Sequence, residues 1–426
     1  MPIPLLEAVA TVGVGGIPYL PLLLKIGVVF GLLYLIKNYT AGATNPSERV
    51  LHSKVAIVTG GTSGVGAALV RELATRGCQL VLLVRHPLDD AFQAAWIEDL
   101  RATTGNELIS AEHVDLASLH SVRQFATKWI DNKPARRLDL VILCGDECTP
   151  GIQRSIDGAE RMMAVNYLSN FHLASILSPA LRAQPADRDV RVITGMCASY
   201  MGGDLGELAQ VEMKENKTKK TLSMKDFTPS KIYGTTKLAL LTFCLALQKH
   251  LTETGRGDGL PTNIRVLCVD PGWTRTPGMR RYLTRGTLWG LFLYLVTYPF
   301  WWLILKSPEQ GAQSFLWAVT EASLAGHGQA KDGFLVKECQ VVPIQRPEVH
   351  NEETQKRLWE TTEETIQSLE KESAIRRTKE KKAQENATNT NVKTESGNTQ
   401  PGSTQPGSRR SKRIKAIEHN GEVKKE

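Results

Sequence analysis

Cysteine is scarce in this chain. There are seven in 426 residues, an odd number scattered from Cys78 to Cys339 with no Cys-x-x-Cys pair. That excludes a disulfide framework and fits a reducing compartment. Cys144 and Cys148 alone are too few for a metal site, and no metal is expected. A strong charge excess is also missing: 52 Lys+Arg stand against 44 Asp+Glu, a net +8. Such a balance permits an anionic partner without naming one. Residues from Pro347 onward are nearly charge-balanced, so most of the excess lies upstream. The densest basic run, Arg409–Lys415 (RRSKRIK), has no nucleic-acid recognition motif around it and reads as a solvated tail, so no nucleic-acid partner is expected. A mean hydropathy of -0.21 excludes a polytopic membrane protein. With 42% hydrophobic and 23% charged residues, wholesale disorder and a collagen-like fibre are excluded too.

Long apolar runs are few, and both are informative. From Ala8 to Ile36 Lys25 is the only charge. The window Ile17–Ile36, about 20 residues, is long enough for one helical span. No basic segment precedes it and Glu7 is acidic, which argues against a cleaved signal peptide. Residues 1–45 therefore read as a membrane anchor. Lys37, Arg49 and Lys54 follow it and put the rest of the chain in the cytosol. The second run, Thr287–Leu305, has no charge and is flanked by Arg280, Arg281, Arg285 and Lys306. Its Trp, Phe and Tyr residues suit a membrane interface, and Pro299 argues against one straight helix. It is expected to form a membrane-embedded hairpin or in-plane segment beside the substrate entrance.

Between these runs and after them the pattern is strand, helix, strand, helix. Apolar runs at Val55–Val58, Leu80–Val84, near Leu108–Val114, Leu138–Leu143, Val190–Thr194 and Ile264–Val269 predict strands covered on both faces. Helical spacing predicts helices over Val65–Arg76, Ala91–Arg101, Leu119–Ile130, Gly158–Arg182 and Tyr233–Leu251. Repeated βα units imply an α/β, doubly wound parallel sheet over residues 50–346. Residues 347–382 contain a charged helix with Leu358, Trp359, Ile366 and Leu369 available to dock. Residues 383–426, rich in Asn, Thr, Ser, Gly and Gln with a PGSTQPGS near-repeat, are expected to be disordered. The sequon at Asn386 is idle on the cytosolic side.

Three motifs carry chemistry. Thr59-Gly-Gly-Thr-Ser-Gly-Val-Gly66 sits between the first strand and the first helix. Gly60, Gly64 and Gly66 allow a tight turn, and Thr62, Ser63 and Val65 complete a loop whose amides face a pyrophosphate. Arg85, at the end of the second strand, favours a 2′-phosphate where an acidic residue would bind a ribose hydroxyl, and so points to NADP(H). Tyr233-Gly-Thr-Thr-Lys237 opens a helix with the phenol and the ammonium on one face. The cation is expected to lower the tyrosine pKa, so that the phenol can exchange a proton with a carbinol oxygen.

With VDL (114–116), VNYL (165–168) and DPGWTRT (270–276), these pieces resemble the short-chain dehydrogenase/reductases over Lys54 to about Arg346. Leu358-Trp-Glu-Thr-Thr-Glu-Glu364 resembles the last helix of the retinol-dehydrogenase-like branch. The anchor and aromatic run are similar to those of fungal oxidoreductases of the endoplasmic reticulum and lipid droplets. The resemblance implies a Rossmann-type fold with helices on both faces of the sheet. It implies Tyr233 as catalytic acid/base, and Lys237 holding the nicotinamide ribose. Asn166 would position a relay water, Asp115 would contact adenine, and Pro271, Gly272, Thr274 and Thr276 would border the nicotinamide. A homodimer is left open.

Two departures from the family pattern stand out. Leu143-Cys-Gly-Asp146 replaces the usual Asn-Asn-Ala-Gly. Arg191-Val-Ile-Thr-Gly-Met-Cys-Ala-Ser199 puts Cys197 where a catalytic serine is usual, with Ser199 two residues later, and a thiol is the weaker donor. The stretch from Cys197 to Tyr233 is long, with polar Glu212–Lys225 matching an elongated substrate-side loop. Two functions follow. One is a membrane-bound NADP(H)-dependent oxidoreductase interconverting a lipophilic alcohol with its aldehyde or ketone, such as a retinoid, a sterol or a fatty aldehyde. The other is a weakly active nucleotide-binding protein that acts as a sensor or interaction protein on an organelle surface.

Overall fold

The computed structural model describes residues 11, 20–206, 228–254, 256, 258–325 and 334–396. Glu212–Lys225, the start of the first apolar run and the RRSKRIK run lie outside the described residues. The chain divides into two compact units, Met1–Ser373 and Ala374–Glu426.

The first unit is built on one sheet. Its strands are β1 (Val55–Thr59), β2 (Gln79–Val84), β3 (Ile109–His113), β4 (Leu140–Leu143), β5 (Val190–Gly195), β6 (Ile264–Asp270), β7 (Leu335–Lys337) and β8 (Gln340–Val342). Their spatial order is β3-β2-β1-β4-β5-β6-β7-β8. Every neighbouring pair is parallel except β7 and β8. Side chains alternate between faces along a strand, and both faces are apolar here. Val55 and Ile57 of β1 enter one core cluster, while Ala56 and Val58 enter the other. β4 divides the same way, with Val141 and Leu143 against Leu140 and Ile142.

Helices cover both faces. α1 (Leu20–Ala41) precedes the sheet, followed by α2 (Gly64–Thr75), α3 (Ala91–Thr104) and α4 (Leu119–Ile130). α5 joins Arg161–Met163, a π-helical turn Ala164–Leu168 and Ser169–Arg182. It starts three residues after the predicted Gly158, where the Glu160 side chain caps Met163 N–H. α6 (Pro229–Glu253) begins a turn before the predicted Tyr233, with Pro229 in its first turn. Then come α7 (Pro277–Thr284), α8 (Leu288–Val296), α9 (Tyr298–Ile304), α10 (Pro308–Thr320) and α11 (Glu352–Ser396).

The two apolar runs meet. α1 is 22 residues long, about 33 Å at 1.5 Å per residue, enough to cross a hydrocarbon core. From Leu22 to Leu35 its large side chains are exposed. At its end Lys37 Nζ donates to the carbonyls of Trp302, at 2.7 Å, and Leu305, at 3.2 Å. Thr40 Oγ1 donates to the Leu303 carbonyl at 2.9 Å. These bonds satisfy carbonyls that the last turn of α9 leaves open. The second run forms α8 and α9, broken at Thr297 just before Pro299. Leu288 and Trp289 are 86% and 81% exposed.

Several features differ from the expected pattern. β7, β8 and α10 were not anticipated. Strands of three residues are too short to show a period, but Ser307 and Gln310 form a capping box that marks the start of α10. β2 ends at Val84 as expected, and Arg85 lies one residue past it. α11 runs past Lys382 to Ser396 because no Gly or Pro intervenes before Gly397. Within the first unit α11 buries Leu358 and Ile366, and Trp359 packs against Phe171, Phe243 and His250.

Candidate active site

The strand order reverses between β1 and β4, the place where open α/β sheets bind ligands beyond the strands' carboxyl ends. The glycine loop follows β1, residues 144–148 follow β4, and Cys197 follows β5. Gly60 has φ +65°, and a Cβ there would lie 2.7 Å from Gly145 N. A Cβ on Gly66 would lie 2.2 Å from the Gly60 carbonyl oxygen. Only glycine lets the loop close this tightly onto both neighbours. Thr62 and Ser63 are exposed at its tip.

Ser63 precedes α2 but its side chain makes no capping hydrogen bond. Asp90, Ser118, Thr276, Thr287 and Ser307 do cap their helices. The first amides of α2 are thus left for an anion, which fits the pyrophosphate of a dinucleotide. Val65 packs against the second core cluster and helps to fix the helix.

The other predicted cofactor residues are placed as follows. Thr276 Cγ2 lies 3.1 Å from where a Gly64 Cβ would sit. Gly272, at φ +74°, donates its N–H to Asp270 Oδ1 at 2.9 Å, turning the chain at Pro271–Gly272. Thr274 is buried, and its Oγ1 donates to the Gly272 carbonyl at 3.3 Å. Arg85 is exposed just past β2. Asp115 is half-buried, with Oδ1 accepting from Ala117 N–H at 2.9 Å.

The catalytic candidates converge at one hydroxyl. Lys237 Nζ lies 5.5 Å from the Tyr233 ring centroid, as their i, i+4 spacing predicts. Cys197 Sγ lies 3.7 Å from Tyr233 Oη. Ser199 is exposed on the 3-10 turn Ala198–Gly202. Of the two candidates for the serine's place, Cys197 has its thiol within 4 Å of the tyrosine hydroxyl.

Asn166 sits fully buried in the π-helical turn of α5. Its Oδ1 accepts from Glu147 N–H and its Nδ2 donates to the Glu147 carbonyl, both at 2.8 Å. Its own carbonyl accepts from Asn170 Nδ2 at 2.9 Å. Its side chain clamps the loop after β4.

Asp146 lies at the centre of the site, and the sequence offered it only as a departure from a pattern. The Tyr233 hydroxyl donates to Asp146 Oδ2. Asp146 Oδ1 is 3.2 Å from Lys237 Nζ, which also donates to the Gly195 carbonyl at 3.1 Å. The expected lowering of the tyrosine pKa is therefore reversed. Burial, then the charge of Asp146 and the neighbouring Cys197, hold the Tyr233 phenol well above its ordinary value. Burial pushes Lys237 down, but Asp146 more than offsets this and keeps it a cation. Burial raises the Cys148 thiol to about 11, with Asp146 adding to the effect.

A family model described as short chain dehydrogenase matches residues 54–198. The chain is 37% identical over 361 residues to the uncharacterized oxidoreductase pbr1 of Schizosaccharomyces pombe, covering 84% of this chain and 93% of that protein. It is 32% identical to mouse retinol dehydrogenase 13, covering 78% of this chain and 90% of that one. It is 31% identical to mouse polyprenol dehydrogenase with the same coverage of both.

Proposed function

The chain belongs to the short-chain dehydrogenase family, and from that membership we propose a membrane-associated, NADP(H)-dependent oxidoreductase acting on a lipophilic alcohol and its aldehyde or ketone. The family identifies the chain as an oxidoreductase that uses a nicotinamide cofactor. The observation that carries the finer reading is the meeting of Tyr233, Lys237 and Cys197 beside an uncapped helix N-terminus at the strand-order reversal.

The residues fit the cofactor. Gly60, Gly64 and Gly66 with the amides of α2 would hold its pyrophosphate, and Arg85 its 2′-phosphate. Asp115 would lie toward the adenine, and Lys237 would hold the ribose beside the Pro271–Thr276 turn. When bound, the nicotinamide supplies or receives the hydride. Tyr233 gives the proton to the carbonyl oxygen in reduction and takes it back in oxidation. Cys197 donates a weak hydrogen bond to the same oxygen in place of a serine hydroxyl. Asn166 keeps the loop after β4 in place.

The lipophilic substrate is supported by the exposed apolar faces of α1 and α8, by the tie between α1 and α9, and by relatives named for retinol and polyprenol. We place the protein on the endoplasmic reticulum or lipid-droplet surface, with its catalytic domain in the cytosol.

The test is NADPH oxidation by the purified full chain against a panel of lipophilic aldehydes and ketones. Turnover that is abolished by Tyr233→Phe supports the enzyme. Cofactor binding with no turnover across the panel would instead favour a nucleotide sensor, the reading prompted by the missing serine.

A further inference from the structure

Asp146 is held in place from both sides. On one side, Gly145 N–H donates to Thr59 Oγ1 at 3.1 Å. On the other, Asn166 clamps the Glu147 N–H and carbonyl, and Arg161 Nε donates to Glu147 Oε2 at 3.0 Å. The carboxylate between these anchors bridges Tyr233 and Lys237. The family's pattern ends in glycine at this position, so no family role covers the bridge.

We propose that Asp146 is a positioning residue that keeps Tyr233 a neutral phenol and takes up the charge of Lys237, setting the site to donate a proton to a carbonyl oxygen. This rests on Tyr233 being the acid/base. A phenol can donate a hydrogen bond to a carboxylate, whereas a phenolate beside it is repelled. Lys237, which would otherwise favour the phenolate, is already paired with Asp146.

The other charged and titratable groups around the cluster are placed as follows. Cys197 approaches from the turn after β5. Cys144, Glu147 and Cys148 flank Asp146 on its own loop. Glu160 and Arg161 come from the start of α5, and Arg281 comes from α7, with Nη1 3.9 Å from Glu147 Oε1. Glu147 takes up both arginines, so among the described residues Lys237 is the cation that faces Tyr233 and Asp146. The raised affinity of Tyr233 for its proton agrees with this arrangement.

In reduction the O–H bond of Tyr233 breaks as the O–H bond of the product alcohol forms. The phenolate left behind is destabilised by Asp146 and regains a proton from solvent. Reduction therefore persists to alkaline pH. Oxidation, which needs the phenolate as base, rises only at higher pH.

The experiment is an alkaline titration of phenolate absorbance in the cofactor-free full chain. The signal of Tyr233 is isolated by subtracting the same titration of Tyr233→Phe. It is repeated for Asp146→Asn and for Asp146→Gly, each with its own Tyr233→Phe control. The Asp146 side chain is 34% exposed, so both variants are expected to fold, and the glycine restores the residue usual in the family. The expected result is a fall of about one pH unit or more in the Tyr233 titration, a tenfold loss of proton affinity. The alkaline limit of reductive kcat/KM should fall by the same amount, and Asp146→Glu should restore part of both. A Tyr233 titration unmoved in both variants overturns the role of Asp146. Turnover that survives Tyr233→Phe overturns the underlying reading instead, so the two failures are distinguishable.

Discussion

Arg85 is the residue proposed to favour NADPH over NADH, and its expected contribution can be worked out. The register pairs Thr59 with Leu83. Arg85, two residues on, leaves the sheet level with the start of the glycine loop, one strand spacing of about 4.8 Å away. Its guanidinium is exposed and can meet a phosphate on the ribose that enters there. A hydrogen bond to a charged group contributes about 1.5–3 kcal/mol. Solvent exposure at Arg85 reduces this to about 1–2 kcal/mol, or roughly 5–30-fold in affinity.

Arg85→Ala should therefore weaken NADPH binding by about that factor and leave NADH within about threefold. Arg85→Asp should reverse the preference, since a carboxylate suits a free 2′-hydroxyl. The assay is titration of nicotinamide fluorescence with each cofactor at low and high salt. The NADPH advantage should shrink as salt rises, because an exposed pair is screened. Equal loss of NADPH and NADH in Arg85→Ala would refute the 2′-phosphate assignment. So would an unchanged NADPH affinity.

Gly66→Ala places a methyl 2.2 Å from the Gly60 carbonyl oxygen. It should open the loop and weaken both cofactors by at least about tenfold by the same titration, with the circular dichroism spectrum retained. Asp189→Asn removes the carboxylate that accepts from Nε and Nη2 of fully buried Arg191, at 2.8 and 2.7 Å. This leaves a buried cation paired only with carbonyls and should cost about 3 kcal/mol in urea unfolding. Burial pushes the Asp189 carboxyl up, but bonds from Arg191 and Arg49 more than offset this and hold it below its ordinary value. Its stabilisation is thus complete above the unfolded value of about 3.9 and lost as pH falls through the folded one. The acid limb of stability should therefore be weaker in Asp189→Asn. Trp289→Asp with Phe292→Asp puts two charges on an exposed apolar face of α8. In the full chain it should reduce flotation with anionic phospholipid vesicles while NADPH affinity stays unchanged. Unaltered flotation would remove α8 from the membrane face.

What the sequence made legible is what local pattern encodes. The glycine loop, the Tyr233–Lys237 pair and six strands are runs of adjacent residues whose spacing already implies their geometry. Asp146 was not legible in this way. A carboxylate in a glycine's place says nothing until β1, α5 and α6 bring Thr59, Asn166 and Tyr233 around it. Cys197 and Ser199 were both offered for the serine's place; the thiol of Cys197 lies 3.7 Å from the Tyr233 hydroxyl, and Ser199 is exposed. The tie between Lys37 and the end of α9 spans 265 residues, beyond any periodicity.

The two departures from the family pattern bear on the choice between enzyme and sensor. Taken singly, the loss of a serine hydroxyl at Cys197 points to weakened catalysis. But the second departure puts a carboxylate on the same tyrosine, so the two form one altered cluster. A buried lysine–carboxylate pair seldom stabilises a fold more than an apolar pair of the same size. Lys237 is nonetheless buried against Asp146, and Asn166, Thr59 and Arg161 are spent on holding the loop that carries that aspartate. Binding a dinucleotide requires only the glycine loop, the α2 amides and a ribose contact. A third group aimed at the tyrosine hydroxyl serves none of these. Its chemical use is control of the proton on Tyr233, which matters only when that proton moves, and this favours the enzyme over the sensor.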